Sequence, residues 1–186
     1  RTAPGGQYAK PLAPSHADAA PDAQFRLGAA LRARAEQAGV RIECEATVWA
    51  AFAPDEIGAL LHGRAVTVRP RRLILAPGAH ERPVAIPGWT LPGAMTTGAL
   101  QTLVRAQRVL PGERVLIGGN GPLNLQLACE LVDCGVKPVA VVEAAPHPGL
   151  AAWRAAWDLA RHAPMLAGSG IAMLARLQRA GVPVLW

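Results

Sequence analysis

Residues 114–143 read RVLIGGNGPLNLQLACELVDCGVKPVAVVE, and this stretch decides the fold of the chain. The run Val115–Ile117 is short and apolar, as in a buried parallel strand. Leucines then recur at helical spacing, and Pro122 suits the first turn of a helix because its missing N–H would be unpaired there anyway. A second apolar run, Pro138–Val142, ends at Glu143. The stretch therefore predicts a strand–helix–strand (βαβ) unit with a glycine turn at its first junction.

The glycine turn is typical of a dinucleotide-binding site. Glycines let the backbone approach a pyrophosphate, and a helix N-terminus offers free N–H groups and a positive dipole end. An acid at the tip of the second strand can accept hydrogen bonds from ribose hydroxyls. The fingerprint calls for Gly or Ala at its sixth position, where this chain has Asn124. The alternative is a Rossmann-like turn that binds no phosphate. The candidate nucleotide-binding residues are Gly119, Asn120, Gly121, Pro122, Leu123 and Glu143.

Composition narrows the class of protein. The chain has 186 residues, of which 51% are hydrophobic, so it can bury a sizeable core. Its net charge is +6, but no basic run is interleaved with aromatic residues, which argues against a nucleic-acid surface. No apolar run reaches the length of a membrane span. The chain starts at an arginine and ends in an apparent strand, which predicts a piece of a longer polypeptide.

The cysteines carry no recognisable site. Cys44, Cys129 and Cys134 form no C-x-x-C and share no metal-ligand spacing with histidines. We predict that all three are small buried residues rather than disulfide partners, which fits a reducing compartment. We therefore expect a cytoplasmic protein that holds no metal.

Outside the βαβ unit, the apolar pattern predicts further elements. Helices are predicted over residues 25–38, over 95–107 with Thr96 or Thr97 as cap, over 151–161 with Trp153 and Trp157 in the core, and from a Ser169 cap to Gly181. Strands are predicted over 40–52, over 57–61 and 65–68 as a hairpin around His62 and Gly63, over 73–75 as a buried strand, and over 182–186 as a third parallel strand.

The order of these pieces resembles a known family. A G-G-Q loop comes first, an apolar strand runs into APGAHERPVAIPGWTLPGAMTTGA, and the βαβ unit follows. This is similar to the two-dinucleotide flavoproteins, in which an NAD(P)-binding domain is inserted into an FAD-binding domain. More closely, it resembles the FAD-dependent α-type subunits of the opine oxidase, hydrogen cyanide synthase and hydroxyproline dehydrogenase group. The resemblance covers nearly the whole chain and is most specific in residues 73–99 and 115–143.

The resemblance implies an α/β fold in which a Rossmann-like parallel sheet, the NAD(P)-type domain, is inserted in a partial FAD-binding domain. Residues 1–91 would be the partial FAD-binding domain, residues 92–111 an inter-domain crossing and helix, and residues 112–186 the partial NAD(P)-binding domain. The second nucleotide site of this group holds NAD(P) or another adenine nucleotide. The residues that match the flavin-facing loop and the strand end before the inserted domain are Gly5, Gly6, Gln7, Ala76 and Gly78.

The function that the resemblance implies is oxidation of an amino-acid-like amine by an FAD-dependent subunit that works with a catalytic partner subunit. No catalytic residue can be named from the sequence. The first FAD glycine fingerprint is absent from these residues, so we expect this chain alone to be inactive and to bind FAD weakly or not at all. One alternative is a non-catalytic, nucleotide-binding scaffold subunit of a hetero-oligomeric dehydrogenase. Another is a thioredoxin-reductase-like disulfide reductase, whose chemistry needs the missing C-x-x-C.

Overall fold

A computed structural model describes residues 3–6, 9, 11–13, 15, 23–147, 149 and 152–186. The chain divides into two compact units, Arg1–His80 and Glu81–Trp186. The first unit contains the helix α1 (Ala23–Gln37) and the strands β1 (Thr47–Ala53), β2 (Glu56–Leu61) and β3 (Arg64–Val68). The second contains α2 (Thr97–Arg105), β4 (Leu116–Gly119), α3 (Pro122–Asp133), β5 (Ala140–Glu143), α4 (Trp153–His162), α5 (Pro164–Arg179) and β6 (Val184–Leu185).

The strands of the first unit form an antiparallel meander in the order β1-β2-β3. The predicted hairpin is confirmed: Leu61 pairs with Arg64 across the two residues His62 and Gly63. These two residues have φ angles of 49° and 77°, as a tight hairpin turn requires. The strand predicted over 40–52 begins only at Thr47, because Glu45 takes a left-handed conformation with φ of 54° that interrupts extended backbone.

The buried strand predicted over 73–75 is wrong. These residues belong to no helix or strand, and the side chains of Ile74 and Leu75 are 88% and 78% exposed. A parallel strand is stabilised by hydrogen bonds to neighbouring strands and by cover on both faces. Within the described residues, no strand pairs with this apolar run, so its sequence alone does not make it a strand.

The second unit contains the predicted βαβ unit, which is confirmed together with its third strand. Strand β4 pairs with β5 and β5 with β6, all in parallel, so the α/β fold class also holds. Helix α3 ends where Gly135 adopts a φ of 81° and Val136 N donates to Leu131 O at 2.9 Å. The core lies between this sheet and the helices, and its most deeply buried large side chains include Val104, Leu127, Leu131, Val141 and Leu177.

Three expectations about the C-terminal helices and the cysteines are wrong. Trp153 and Trp157 do share a face of α4, but they are 61% and 63% exposed rather than in the core, since no described element covers that face. Ser169 lies inside α5, which begins at Pro164, and its hydroxyl donates to Leu166 O at 2.8 Å within the helix. Cys134 is exposed, because it follows α3 on a different face from the buried Cys129. Cys44 is only partly buried.

Among the helices in the described residues, none has both the length and the apolar character needed to cross a membrane.

Candidate functional site

The glycine turn between β4 and α3 has a backbone that only glycine adopts readily. Gly119 has a φ of 147° and Gly121 a φ of 110°, both in the region where a Cβ atom is disfavoured. Gly121 is the N-cap of α3, and Pro122 follows in the first turn of that helix. The predicted start of the helix is therefore correct. The turn lies at the carboxyl end of the parallel strands, the edge where open α/β sheets bind their ligands.

Glu143 lies against this turn instead of extending into solvent. It pairs with Gly119 in the parallel ladder, and its carboxylate is partly buried. One carboxylate oxygen, Oε2, accepts a hydrogen bond from Gly121 N at 3.3 Å, and the other, Oε1, accepts one from Ala145 N at 3.3 Å. The structure thus brings together Gly119, Gly121 and Glu143, which are separated by up to 24 positions in the sequence.

The surroundings of the turn leave room for a ligand. A Cβ atom built on Gly121 would meet no other atom within 4 Å, so the space beside this backbone is open to a ligand. Asn120, Pro122 and Leu123 are exposed along the same rim. The helix N-terminus presents the positive end of its dipole, and the neighbouring carboxylate supplies acceptors for hydroxyl groups. This arrangement can bind and orient an anionic or hydroxyl-bearing ligand, and none of the residues named here is a nucleophile.

Asn124, the departure from the fingerprint, is a buried and hydrogen-bonded side chain. It is 5% exposed, and its Oδ1 accepts a hydrogen bond from Thr97 Oγ1 at 2.8 Å. Its Nδ2 lies 3.0 Å from the place where a Cβ atom of Gly119 would be. The missing side chain of Gly119 therefore makes room for the Asn124 amide. The helix packs closely on the strand although the sixth fingerprint residue is not glycine.

Helix α2 is the element that the sequence did not connect with the site. Thr96 is its N-cap and accepts a hydrogen bond from Ala99 N at 3.4 Å, so the prediction of Thr96 or Thr97 as cap is confirmed for Thr96. The hydroxyl of Thr97 instead reaches Asn124 in α3. Glu81 Oε1 also accepts from Gly98 N at 2.8 Å, an arrangement that the positive end of the α2 dipole favours.

A row of polar contacts continues between α2 and α3. Glu130 Oε1 accepts hydrogen bonds from the side-chain amides of Gln101 and Gln126, each at 3.0 Å. Arg105 Nη1 lies 3.5 Å from Glu130 Oε1, and the two side chains are only 15% and 18% exposed. Helix α3 thus covers Arg105, an arginine of α2 that would otherwise be solvated. The row fixes the position of α2 along α3.

The residues expected to match the flavin-facing loop and the strand end before the inserted domain all lie in the first unit. Gly5 and Gly6 have φ angles of 124° and 62°, and Ala9 N donates to Gly5 O at 2.8 Å. Gln7 lies outside the described residues. Ala76 and Gly78 are exposed and follow no strand among the described residues, so the strand end expected there is not formed.

Two further features contribute nothing to the nucleotide site. Within the part of the chain that the structure describes, no group of three or more His, Cys, Asp or Glu residues could hold a metal ion. A shallow groove of about 350 Å³ lies at the other end of the βαβ unit, where Glu113 precedes β4 and Cys134 and Lys137 follow α3. None of its lining residues belongs to the glycine turn.

Comparisons with known proteins agree with this architecture. A family model described as pyridine nucleotide-disulphide oxidoreductase matches residues 56–163. The chain is 40% identical over 111 residues to an opine oxidase subunit of Agrobacterium tumefaciens, covering 55% of this chain and 22% of that protein. It is 41% identical over 112 residues to the hydrogen cyanide synthase subunit HcnB of Pseudomonas aeruginosa, covering 60% and 24%. It is 35% identical over 152 residues to the corresponding opine oxidase subunit of Rhizobium meliloti, covering 77% and 30%.

The chain thus spans less than a third of the length of each of these curated relatives. No solved structure matches it. The resemblance to a two-dinucleotide flavoprotein, inferred from the order of motifs, is confirmed by the family match and the relatives.

Proposed function

Because the chain belongs to the pyridine nucleotide-disulphide oxidoreductase family, we propose that it is part of an FAD-dependent oxidoreductase subunit with a second adenine-dinucleotide site at its glycine turn. The observation that carries the proposal is the position of Glu143, whose carboxylate is held beside Gly121 at the N-terminus of α3. In this proposal, the turn binds the pyrophosphate of NAD(P) or another adenine nucleotide. Glu143 accepts hydrogen bonds from the adenosine ribose.

The proposed substrate is an amino-acid-like amine, and the proposed partner is a catalytic subunit. Both rest on the relatives, which are named as subunits of opine oxidase and of hydrogen cyanide synthase. A bound flavin supplies the hydride acceptor in such chemistry. Within this proposal, residues 1–91 are part of the FAD-binding domain and residues 112–186 are part of the NAD(P)-type domain. We assign the residues of this chain to binding and orientation and none of them to bond breaking.

A scaffold subunit without its own catalysis is the second candidate, and one observation favours it. Ala76 and Gly78 lie on exposed irregular backbone, whereas the glycine turn of the second unit is fully formed. A disulfide reductase is not supported, because Cys44, Cys129 and Cys134 are all free and no pair has the C-x-x-C spacing that thiol exchange of this kind uses.

A calorimetric titration with NADH, NADPH, ATP and FAD tests the binding part of the proposal. We expect an adenine dinucleotide to bind, and NADH to bind more tightly than NADPH, because the Glu143 carboxylate repels a 2′-phosphate. We expect FAD to bind weakly or not at all. Flavin absorbance that purifies with the chain would overturn that last expectation.

An activity assay separates the oxidoreductase subunit from the scaffold. The full-length protein is assayed for oxidation of amino-acid-like amines with an artificial electron acceptor, by itself and with its partner. An oxidoreductase subunit contains reducible flavin that the amine bleaches. A scaffold subunit contains no flavin, so amine-dependent bleaching is then seen only when the partner is present.

A further inference from the structure

We infer that Thr97 and Asn124 are a pair of positioning residues that hold the glycine turn in shape for the nucleotide, an inference that rests on the proposed nucleotide site. The two side chains come from different helices, 27 residues apart in the sequence, and join at 2.8 Å. Asn124 stands at the sixth fingerprint position, where the usual residue is Gly or Ala, and Thr97 lies outside the fingerprint. The two residues position the site without touching the nucleotide, because they act on it through the backbone of Gly119.

The first step of the argument is the burial of the Asn124 amide. At 5% exposure, this side chain is the one buried polar or charged residue among those that the structure describes. A buried amide oxygen requires a donor, since leaving it without a partner is unfavourable. The Thr97 hydroxyl supplies that donor, so the orientation of the amide depends on the position of α2.

The second step is the contact between the amide and the turn. Asn124 Nδ2 occupies the space next to Gly119, 3.0 Å from the site of a Cβ atom. If the amide loses its fixed orientation, the backbone at Gly119 loses the surface against which it packs. One residue separates Gly119 from the N-cap residue Gly121, whose N–H group faces Glu143.

The third step is that α2 is itself firmly held. Val104 is 2% exposed in the core, and Glu130 of α3 contacts both Gln101 and Arg105. The Thr97 hydroxyl is therefore presented from a fixed helix rather than from a flexible loop. A fixed support of this kind is what keeps a binding group within the narrow tolerance that ligand recognition needs.

The test uses the full chain and matched substitutions at Thr97. Thr97→Val keeps the shape of the side chain and removes the hydroxyl, whereas Thr97→Ser keeps the hydroxyl. Val182→Ala, at a residue that is 3% exposed just before β6 and outside the turn, is the control for lost stability. The measurements are NADH affinity by calorimetry, stability in urea, and the ¹H–¹⁵N amide shifts of Gly119 and Gly121.

We expect Thr97→Val to weaken NADH binding by about threefold to tenfold, the scale of one lost buried hydrogen bond, and to move both glycine amide shifts. Thr97→Ser should have the NADH affinity and the glycine amide shifts of the wild type. Val182→Ala should lose stability while its NADH affinity and glycine amide shifts stay unchanged. Unchanged glycine shifts in folded Thr97→Val would overturn the inference. So would an affinity loss in Val182→Ala that matches that of Thr97→Val.

The two proposals fail in distinguishable ways. If the wild-type chain binds no adenine nucleotide, the proposed function fails, and with it the functional part of the inference. The amide shifts need no nucleotide, so they still report whether Thr97 controls the turn. If the wild type binds NADH and Thr97→Val binds it equally well, only the inference fails.

Discussion

Substitution of Gly119 by alanine should destabilise the second unit through two separate effects. The residue has a φ of 147°, and holding a residue with a Cβ atom in such a conformation costs of order 1–3 kcal/mol. The new Cβ atom would also lie 3.0 Å from Asn124 Nδ2, and relieving that overpacking costs about 1 kcal/mol. The two effects together lower the free energy of unfolding by about 2–4 kcal/mol.

The neighbouring residue offers a matched control. Gly118 precedes Gly119 in β4, its φ lies outside the left-handed region, and a Cβ atom there meets nothing within 4 Å. Gly118→Ala should be neutral or stabilising by up to about 1 kcal/mol, because it only reduces the freedom of the unfolded chain. Urea unfolding followed by tryptophan fluorescence measures both variants, since four of the five tryptophans lie in the second unit.

A third variant separates the two effects. In an Asn124→Ala background, the opposing amide is gone, so Gly119→Ala should cost about 1 kcal/mol less than it does in the wild type. Equal unfolding free energies for Gly118→Ala and Gly119→Ala would refute the geometry of the turn. Equal costs of Gly119→Ala in the two backgrounds would refute the contact with Asn124.

Two further predictions concern titrating groups. Burial raises the pKa of the Cys129 thiol, so iodoacetamide should alkylate the exposed Cys134 well before Cys129 in native protein; equal rates, measured by peptide mass spectrometry, would contradict this. Hydrogen bonds from Arg41 and His62 hold the pKa of the Glu43 carboxyl below its ordinary value of 4.5. Because the folded pKa is the lower one, the stabilisation is complete above that ordinary value and is lost as the pH falls through the folded pKa. The difference in unfolding free energy between Glu43→Gln and the wild type should therefore shrink as the pH falls. A difference that does not change with pH would contradict the assignment.

The parts of the fold that were predictable depend on local sequence. The β4–α3–β5 unit is specified by an apolar run, by glycines at positions that need positive φ, and by Gly135 at the helix end. The hairpin at His62 and Gly63 is likewise specified by its two turn residues. In each case, the residues that determine the structure lie next to the helix or strand that they end. They can therefore be recognised in a single sequence.

The parts that were not predictable depend on distant partners. Residues 73–75 have the composition of a buried strand, but a strand also needs neighbours, and the sequence of the run does not say whether they are there. The pattern of α4 shows that Trp153 and Trp157 share a face, but not which element covers that face. Helical periodicity reports the arrangement within one element and not the packing between elements.

The candidate site shows the same division. Gly119, Gly121 and Glu143 could be proposed from their spacing, and the structure brings them together. The role of these residues in nucleotide binding stays a prediction. The partner of Asn124 could not be proposed, because Thr97 is contributed by another helix. The fingerprint only marked Asn124 as unusual, and the tertiary contact gives the reason that it is tolerated.

The most direct measurement is a calorimetric titration of NADH into the wild-type chain and into Glu143→Gln. Glu113→Gln, at an exposed residue before β4, is the control for a lost negative charge. We predict that the wild type and Glu113→Gln bind equally, and that Glu143→Gln binds at least about tenfold more weakly, the scale of lost hydrogen bonds to a charged group. Equal affinity of folded Glu143→Gln and wild type would contradict a nucleotide site at the glycine turn.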